Sequence, residues 1–229
     1  MKRIVVLTGA GMSAESGLKT FRDSDGLWEN YDVMEVASIE GWERDPVLVQ
    51  RFYNDRRRQL WDAQPNQGHS DLVKLEQHYH VDIVTQNVDD LHERAGSHNV
   101  LHLHGELRKV RSTRHPELVY ELGPQDKDVN MGDLCEKGFQ LRPDIVWFGE
   151  AVPRMDPAIN MLHEADIVLV VGTSLSVYPA ASLVHYAQIG VPVYLVDPKR
   201  PDNLPAGVKF ICATASEGIS IFYELISQQ

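Results

Sequence analysis

A chain of 229 residues with 43% hydrophobic and 24% charged residues can bury one large core and is too apolar to be disordered. Its net charge of −11 excludes non-specific nucleic-acid binding, which needs a basic face, and leaves room for a basic partner such as a lysine-bearing protein segment. The cysteines, Cys135 and Cys212, are too few for a disulfide framework and fit a reducing compartment. The apolar stretch after Lys2 and Arg3 is shorter than the about 7–15 residues of a signal peptide. No run approaches the about 18 apolar residues of a membrane span. The sequence therefore reads as a cytoplasmic protein with neither a membrane nor a nucleic acid as partner.

The first predicted strand covers residues 3–7 and contains the apolar run Ile4-Val5-Val6-Leu7. It runs into Thr8-Gly9-Ala10-Gly11-Met12-Ser13-Ala14, where Gly9, Gly11 and Ala14 fit the G-x-G-x-x-G/A spacing of a dinucleotide-binding turn. In that reading the first glycine permits the tight turn and the second lets backbone approach a pyrophosphate. The third position is small for helix–strand packing, and phosphate sits over N–H groups at a helix N-terminus. The same residues also suit a plain tight turn. An ordinary dinucleotide half would continue into a second strand within about 30 residues and place an acid about 20 residues after the glycines. Residues 18–63 contain no convincing strand run.

Residues 18–67 read as helical. Leu48, Phe52 and Leu60 form an apolar stripe there, so Phe52-Tyr53-Asn54-Asp55-Arg56 is placed on a helix. Tyr53 and Arg56 are three apart and share a face. A guanidinium beside a phenol reads a carboxylate with bidentate geometry. The alternative is a solvated basic face around Arg56-Arg57-Arg58.

Further strands are predicted at residues 81–85, 100–103, 145–148, 167–171, 191–196 and 208–212, and helices at 70–79, 88–95, 157–165, 179–189 and 216–226. Most of the strand runs are short, β-branched and apolar throughout, the pattern of strands covered on both faces. Their alternation with helices predicts an α/β fold, a Rossmann-like, doubly wound, mostly parallel sheet. Residues 18–67 and 108–140 break the alternation and are expected to form one smaller inserted module.

Ligands in such folds bind beyond the carboxyl ends of the strands. After residues 81–85 comes Gln86-Asn87-Val88-Asp89-Asp90, suited to ribose hydroxyls or a carboxamide, and equally to capping the next helix. In Val100-Leu101-His102-Leu103-His104-Gly105, strand alternation sets His102 and His104 on one face, with His104 at the mouth of the sheet. An imidazole there can act as a general base, or be structural. Gly172-Thr173-Ser174 follows residues 167–171 and can donate to phosphate or ribose, or cap a helix opened by Pro179.

In colinear order, from about residue 5 to 215, these motifs resemble the sirtuins, the NAD-dependent protein lysine deacylases. The resemblance is carried by Gly9-Ala10-Gly11-Met12-Ser13, Glu15-Ser16-Gly17 and Phe21-Arg22. It continues in Thr85-Gln86-Asn87-Val88-Asp89 and His102-Leu103-His104-Gly105-Glu106. Leu141-Arg142-Pro143, Val146-Trp147-Phe148-Gly149-Glu150 and Gly172-Thr173-Ser174-Leu175-Ser176-Val177-Tyr178-Pro179 complete it. It implies a single catalytic domain over residues 1–229 with NAD as cofactor and acyl-lysine proteins as substrates. Gly9, Ala10, Gly11, Met12, Ser13, Ala14, Gly17, Phe21 and Arg22 would line the pyrophosphate and ribose. Gln86, Asn87, Val88 and Asp89 would hold the nicotinamide ribose and carboxamide. Gly172, Thr173, Ser174, Asp197, Ala213 and Ala215 would meet the adenosine side.

His104 would be the catalytic base, with Asn87 beside it. Val146, Trp147, Phe148, Gly149 and Val177 would flank an acyl-lysine peptide that pairs as an added strand. Nicotinamide would leave as the acyl oxygen captures the ribose, and His104 would then deprotonate a ribose hydroxyl. The products would be free lysine, nicotinamide and O-acyl-ADP-ribose. Tyr53 and Arg56 match a Tyr-x-x-Arg pair of the desuccinylase and demalonylase branch, which implies better removal of succinyl- or malonyl-lysine than of acetyl-lysine.

Two departures stand out. Most sirtuins hold a structural zinc on two Cys-x-x-Cys pairs. Here those positions fall at Ser112 and His115, and around Cys135 with Lys137 or Gly138, so zinc is expected to be absent. Asp197-Pro198 stands where many relatives have Asn. NAD-dependent ADP-ribosyl transfer and a non-catalytic NAD or ADP-ribose binding module are the competing functional readings.

Overall fold

The computed structural model describes residues 1–19, 27–28, 31–126, 128–173, 178–201 and 204–227. In chain order, β1 (Arg3–Thr8) leads through two 3₁₀ turns, Ala10–Met12 and Ala14–Ser16, to the two-residue strands β2 (Leu27–Trp28) and β3 (Tyr31–Asp32). Helices α1 (Val33–Val36), α2 (Ile39–Arg44), α3 (Pro46–Asp62) and α4 (Gln67–Leu75) follow, then β4 (His80–Thr85), α5 (Leu91–Ala95) and β5 (Val100–His102). Next come β6 (Gly105–Ser112), β7 (Val119–Glu121), β8 (Leu141–Ile145), α6 (Met155–His163) and β9 (Ile167–Val171). A 3₁₀ helix over Ala180–Tyr186, β10 (Val193–Asp197), β11 (Lys209–Cys212) and α7 (Ala215–Ser227) complete the chain.

Six strands form one sheet in the order β11-β10-β9-β1-β4-β5, and every pairing in it is parallel. The central strands are buried on both faces, which explains their predominantly apolar runs. Along β1, Ile4 and Val6 pack with Leu72 and Leu75 of α4 and with Ile219 and Phe222 of α7. Val5 and Leu7 pack on the other face with Ala158 and Leu162 of α6 and with Leu183 of the 3₁₀ helix. Each fully buried aliphatic side chain contributes about 1.5–3 kcal/mol. Among the described residues no helix is long and apolar enough to cross a membrane.

The second, antiparallel sheet has the order β7-β6-β8. Helix α3 lies against it. Asp45 caps the helix by accepting from Leu48 N at 2.9 Å, and Pro46 opens it. Its apolar face, Val49, Phe52, Tyr53 and Leu60, packs with Leu107, Ile145 and Trp147. Its polar side chains are stapled to the same sheet and its flanking loop. Gln50 Nε2 donates to Leu141 O at 2.7 Å, Arg57 Nε to Leu107 O at 2.8 Å, and Asn54 exchanges two 3.0 Å bonds with the Val129 backbone.

Several predicted elements shift. The strand expected at 145–148 lies at Leu141–Ile145 and belongs to the antiparallel sheet. β6 was not expected, because Arg108, Lys109 and Arg111 hide its pattern. Residues 179–189, expected as a regular helix, contain a 3₁₀ helix over Ala180–Tyr186. No α-helix opens at the glycine turn, where the chain makes two 3₁₀ turns instead. The strand-free reading of 18–63 gives way to one short hairpin, β2 with β3, too brief to show a period.

Candidate active site

The loops after β1 and β9 meet backbone to backbone. Gly9 N donates to Val171 O at 3.0 Å and Gly11 N to Gly172 O at 2.9 Å. A Cβ on Gly11 would stand 2.7 Å from Gly172 Cα, and one on Gly172, whose φ is +61°, would stand 2.4 Å from Met12 N. These glycines are therefore required by the approach of the two loops. Asn66, not singled out by the sequence reading, pins the first loop. Its Nδ2 donates to Met12 O at 2.8 Å and Ser16 Oγ at 3.1 Å, while its Oδ1 caps α4 by accepting from Gly68 N at 2.9 Å. An Asn just before a helical stretch was the available signal.

The segment after β4 is held in the same way. Asn87 does not cap α5. Its Nδ2 donates to Gly9 O and to Ser13 Oγ, both at 3.1 Å. Ser13 Oγ in turn donates to Asp89 Oδ2 at 2.9 Å, and Asp89 Oδ1 accepts from Leu91 N at 3.2 Å. Burial raises the Asp89 pKa, against the pull of its hydrogen bonds from Ser13 and Leu91. Gln86 Nε2 reaches Thr173 Oγ1 at 3.1 Å and so bridges to the β9 loop.

The strand carrying the two histidines ends at His102, and His104 lies in the bend before Gly105. They do not act as one face. His102 is buried between Asn87 O at 3.0 Å and Glu93 Oε1 at 2.7 Å, outside the cleft lining. His104 lines the cleft, with its Nδ1 3.1 Å from Gln86 O. A carbonyl only accepts, so Nδ1 carries the proton and Nε2 is the basic nitrogen. Burial lowers the His104 pKa, partly opposed by the Gln86 carbonyl, so the ring is neutral at pH 7.

A cleft of about 320 Å³ gathers Gly9, Ala10, Ser13, Gln86, Asn87, Val88, Asp89, His104, Gly172 and Thr173. It also takes in Tyr53, Arg56, Val146, Trp147, Phe148 and Gly149. Gly11, Met12, Ala14, Gly17, Asp197, Ala213 and Ala215 are not among its lining residues. Met12, Ala213 and Ala215 are packed in the core on the α4–α7 face, and Asp197 is buried with its Oδ1 accepting from Lys199 N at 3.0 Å. Phe21, Arg22, Ser174 and Val177 lie outside the described residues.

On the insert side, Tyr53 is fully buried and its hydroxyl accepts from Trp147 Nε1 at 2.9 Å. The Arg56 guanidinium sits 5.1 Å from the Phe52 ring centroid, and burial lowers its pKa. Glu150 binds Arg142 through both oxygens, at 2.8 and 2.9 Å, and Arg142 lies against the Trp147 ring. The backbone donors of Val146, Trp147 and Phe148 are taken by His104 O, Glu150 Oε2 and Ala37 O at 2.9 Å each. An incoming strand therefore cannot use those three N–H groups.

The positions that hold zinc in the family are neighbours in space, but their chemistry is not a zinc set. Cys135 Sγ lies 3.3 Å from Ser112 Oγ, Ser112 Oγ accepts from His115 N at 3.2 Å, and Lys137 Nζ is 3.3 Å from His115 Nδ1. One thiol, one imidazole, a hydroxyl and an ammonium do not supply four zinc ligands. Among the described residues no group of three or more His, Cys, Asp or Glu is placed to hold a metal ion.

A parallel α/β sheet with glycine loops, amides and a carboxylate at its carboxyl edge defines a dinucleotide-binding protein. The comparisons narrow the class. The Sir2 family model matches residues 9–179. An NAD-dependent protein deacylase of Helicobacter pylori is 56% identical over 216 residues, covering 94% of this chain and 93% of its own. One of Bacteroides thetaiotaomicron is 53% identical over 230 residues, covering 99% and 98%. Among solved structures, a Sir2 homologue–NAD complex superposes with a TM-score of 0.87 at 40% identity, covering 99% of this chain and 90% of its own. A Sir2 homologue mutant–ADP-ribose complex gives 0.88 at 38% identity, covering 100% and 94%. The chain belongs to the Sir2, or sirtuin, family.

Proposed function

We propose that this chain is an NAD-dependent protein lysine deacylase that favours succinyl- or malonyl-lysine over acetyl-lysine. The carrying observation is the shared cleft. One cleft is lined by His104, a neutral imidazole, by Gly9, Gln86, Asn87 and Gly172 at the edge of the parallel sheet, and by the buried Tyr53 and Arg56 of α3. The relatives' names and the ligands of the similar structures support the NAD-dependent chemistry. The whole chain acts as one catalytic domain. Residues 18–67 and 108–140 form its smaller module, and α3 supplies the acyl side of the cleft.

The residues present fit a dinucleotide. Gly9 and Gly172 present backbone without Cβ, Ser13 and Thr173 bring hydroxyls, Gln86 and Asn87 bring amides, and Asp89 fixes Ser13. When bound, NAD supplies the ribosyl group that receives the acyl chain as nicotinamide departs. His104 Nε2 takes the proton of the attacking hydroxyl, while Nδ1–H stays on Gln86 O and fixes the ring. Gly11 and Met12 contribute through the loop backbone, and Asp197, Ala213 and Ala215 through the carboxyl edge of β10 and β11. Val146, Trp147, Phe148 and Gly149 wall the lysine channel. Arg56, charged at neutral pH despite its burial, pairs with the distal carboxylate of the acyl chain, and Tyr53 donates to it.

Nicotinamide release with and without an acyl-lysine peptide tests this reading. Release should require the peptide. Peptide-independent release with ADP-ribose transferred to protein would overturn it in favour of ADP-ribosyl transfer.

A further inference from the structure

We propose that His102, the histidine outside the cleft, is a positioning residue: as an imidazolium it clamps the backbone carbonyl of Asn87 and so sets the Asn87 amide on the cofactor side. The inference rests on the reading of that side as the NAD site and names what holds it from behind. His102 ends β5 and is 2% exposed. Its Nδ1 lies 3.0 Å from Asn87 O and its Nε2 2.7 Å from Glu93 Oε1. A carbonyl and an ionised carboxylate only accept, so each ring nitrogen carries a proton and the ring is a cation. Cationic donors make the shorter and stronger kind of hydrogen bond. With both N–H groups committed, the ring has no second tautomer in which the carbonyl is released.

Two residues on, His104 Nδ1 donates to Gln86 O at 3.1 Å. The two histidines therefore hold successive carbonyls of one segment, and they do so in different charge states. His104 commits one N–H and keeps Nε2 basic; His102 commits two. From the clamped peptide the Asn87 side chain reaches Gly9 O and Ser13 Oγ, and Ser13 reaches Asp89. A shift of that peptide moves the amide against the glycine loop.

The groups around the ring favour the cation. Glu93 of α5 touches it, Glu106 of β6 faces it, and Asp89 senses its charge. His92 of α5 is kept neutral by burial. Lys109 and Arg154 lie 2.8 and 4.0 Å from Glu106, and Arg154 donates to His102 O at 3.2 Å. Burial pushes the His102 pKa down, and Glu93, Glu106 and the Asn87 carbonyl outweigh it, so it is raised. Burial pushes Glu93 up, and His102 outweighs it, so the carboxylate stays ionised. The clamp is closed at neutral pH and opens as pH rises past the raised value of His102.

The test follows NAD-dependent deacylation of an acetyl- or succinyl-lysine peptide, whichever turns over faster. It compares wild type, Asn87→Ala, His102→Leu, His102→Asn and the Asn87→Ala/His102→Leu double variant, each shown to be folded by near-UV circular dichroism. His102→Leu is expected to raise KM for NAD about tenfold and to leave KM for the peptide within about twofold. His102→Asn, whose Nδ2 takes the place of Nδ1, should recover most of that loss. The double variant should stay within about twofold of Asn87→Ala, because His102 acts through Asn87. A His102 that only supports the fold would lower kcat through the active fraction and leave both KM values in place. That result overturns the inference, as does a loss that His102→Asn fails to recover. If His102→Leu does not fold, nitrogen-15 spectra of histidine-labelled wild type at pH 7 decide: two protonated ring nitrogens on His102 are expected, and one overturns the inference. A loss in Asn87→Ala without one in His102→Leu overturns the inference alone. Unchanged kcat/KM for NAD in Asn87→Ala overturns the reading of the site and the inference together.

Discussion

Gly11→Ala is expected to separate the two loops that shape the cofactor side of the cleft. The added Cβ would meet Gly172 Cα at 2.7 Å, Gly172 O at 2.9 Å and Gly172 C at 3.2 Å. All three are backbone atoms, so no side chain can swing aside. The loops must part, and the Gly11 N–H bond to Gly172 O, now 2.9 Å, stretches with them. Overpacking of this kind costs about 1–3 kcal/mol. Weakening one backbone hydrogen bond adds about 0.5–1.5 kcal/mol. For a chain of this size, each kcal/mol lowers Tm by about 2–4 °C, so a fall of about 3–18 °C is expected. Weaker binding of NAD should accompany it in calorimetry. Gly17→Ala is the control. Its φ is +83° but among the described residues nothing lies within 4 Å of the new Cβ, so the left-handed backbone penalty of about 1–2 kcal/mol is the cost expected. A Gly11→Ala protein that melts within about 1 °C of wild type and binds NAD equally well would refute the steric argument.

Other expectations follow from the same geometry. Arg56→Met removes a buried charge from the cleft; losing a charge-assisted hydrogen bond of about 1.5–3 kcal/mol should cut kcat/KM on succinyl-lysine about 10- to 100-fold and leave acetyl-lysine nearly unchanged. Equal losses on both peptides would count against it. His104→Ala should lose about 10²–10⁴ of kcat, and the wild-type acid limb, which reports protonation of Nε2, should fall below pH 6.5 because burial lowers the His104 pKa. A pH–rate profile with its limb above that value contradicts the assignment. Buried His69, with its pKa lowered to about 4, stays neutral in the folded chain while its unfolded counterpart protonates near pH 6.5. Stability should therefore be complete above that pH and decline toward pH 4 by about 1.4 kcal/mol per pH unit for this one proton. Urea midpoints that stay level over the range in wild type, or decline as steeply in His69→Gln, would disprove it.

The strands of the parallel sheet were legible because burial on both faces leaves mostly apolar, β-branched residues. β1, β4 and β9 fall within one residue of their expected bounds. β6 was hidden because its charged side chains are consumed by partners remote in sequence. Arg108 Nη1 lies 2.7 Å from Asp90 Oδ2, and Arg111 Nη2 3.3 Å from Glu150 Oε1. Local spacing cannot report such pairs. Gly9 and Gly11 were legible as glycines that a loop requires, but the nearest cause is the Gly172-Thr173 backbone and side chain, some 160 residues on, rather than any helix N-terminus. Tyr53 and Arg56 were visible as an i, i+3 pair. The bond from Trp147 to Tyr53 was not, since it joins two distant motifs whose register the fold alone sets. The histidine alternation failed because the strand ends at His102, sending the two imidazoles to different surroundings.

The most direct measurement offers wild-type protein and NAD a set of acetyl-, malonyl- and succinyl-lysine peptides of one sequence, with nicotinamide and deacylated peptide followed by mass spectrometry. Deacylation that requires NAD, with kcat/KM on the succinyl or malonyl peptide at least about tenfold above the acetyl peptide, is the expected result. Equal efficiencies on all three, or no NAD-dependent deacylation of any, would contradict the assignment of Tyr53, Arg56 and His104 to one acyl-transfer cleft.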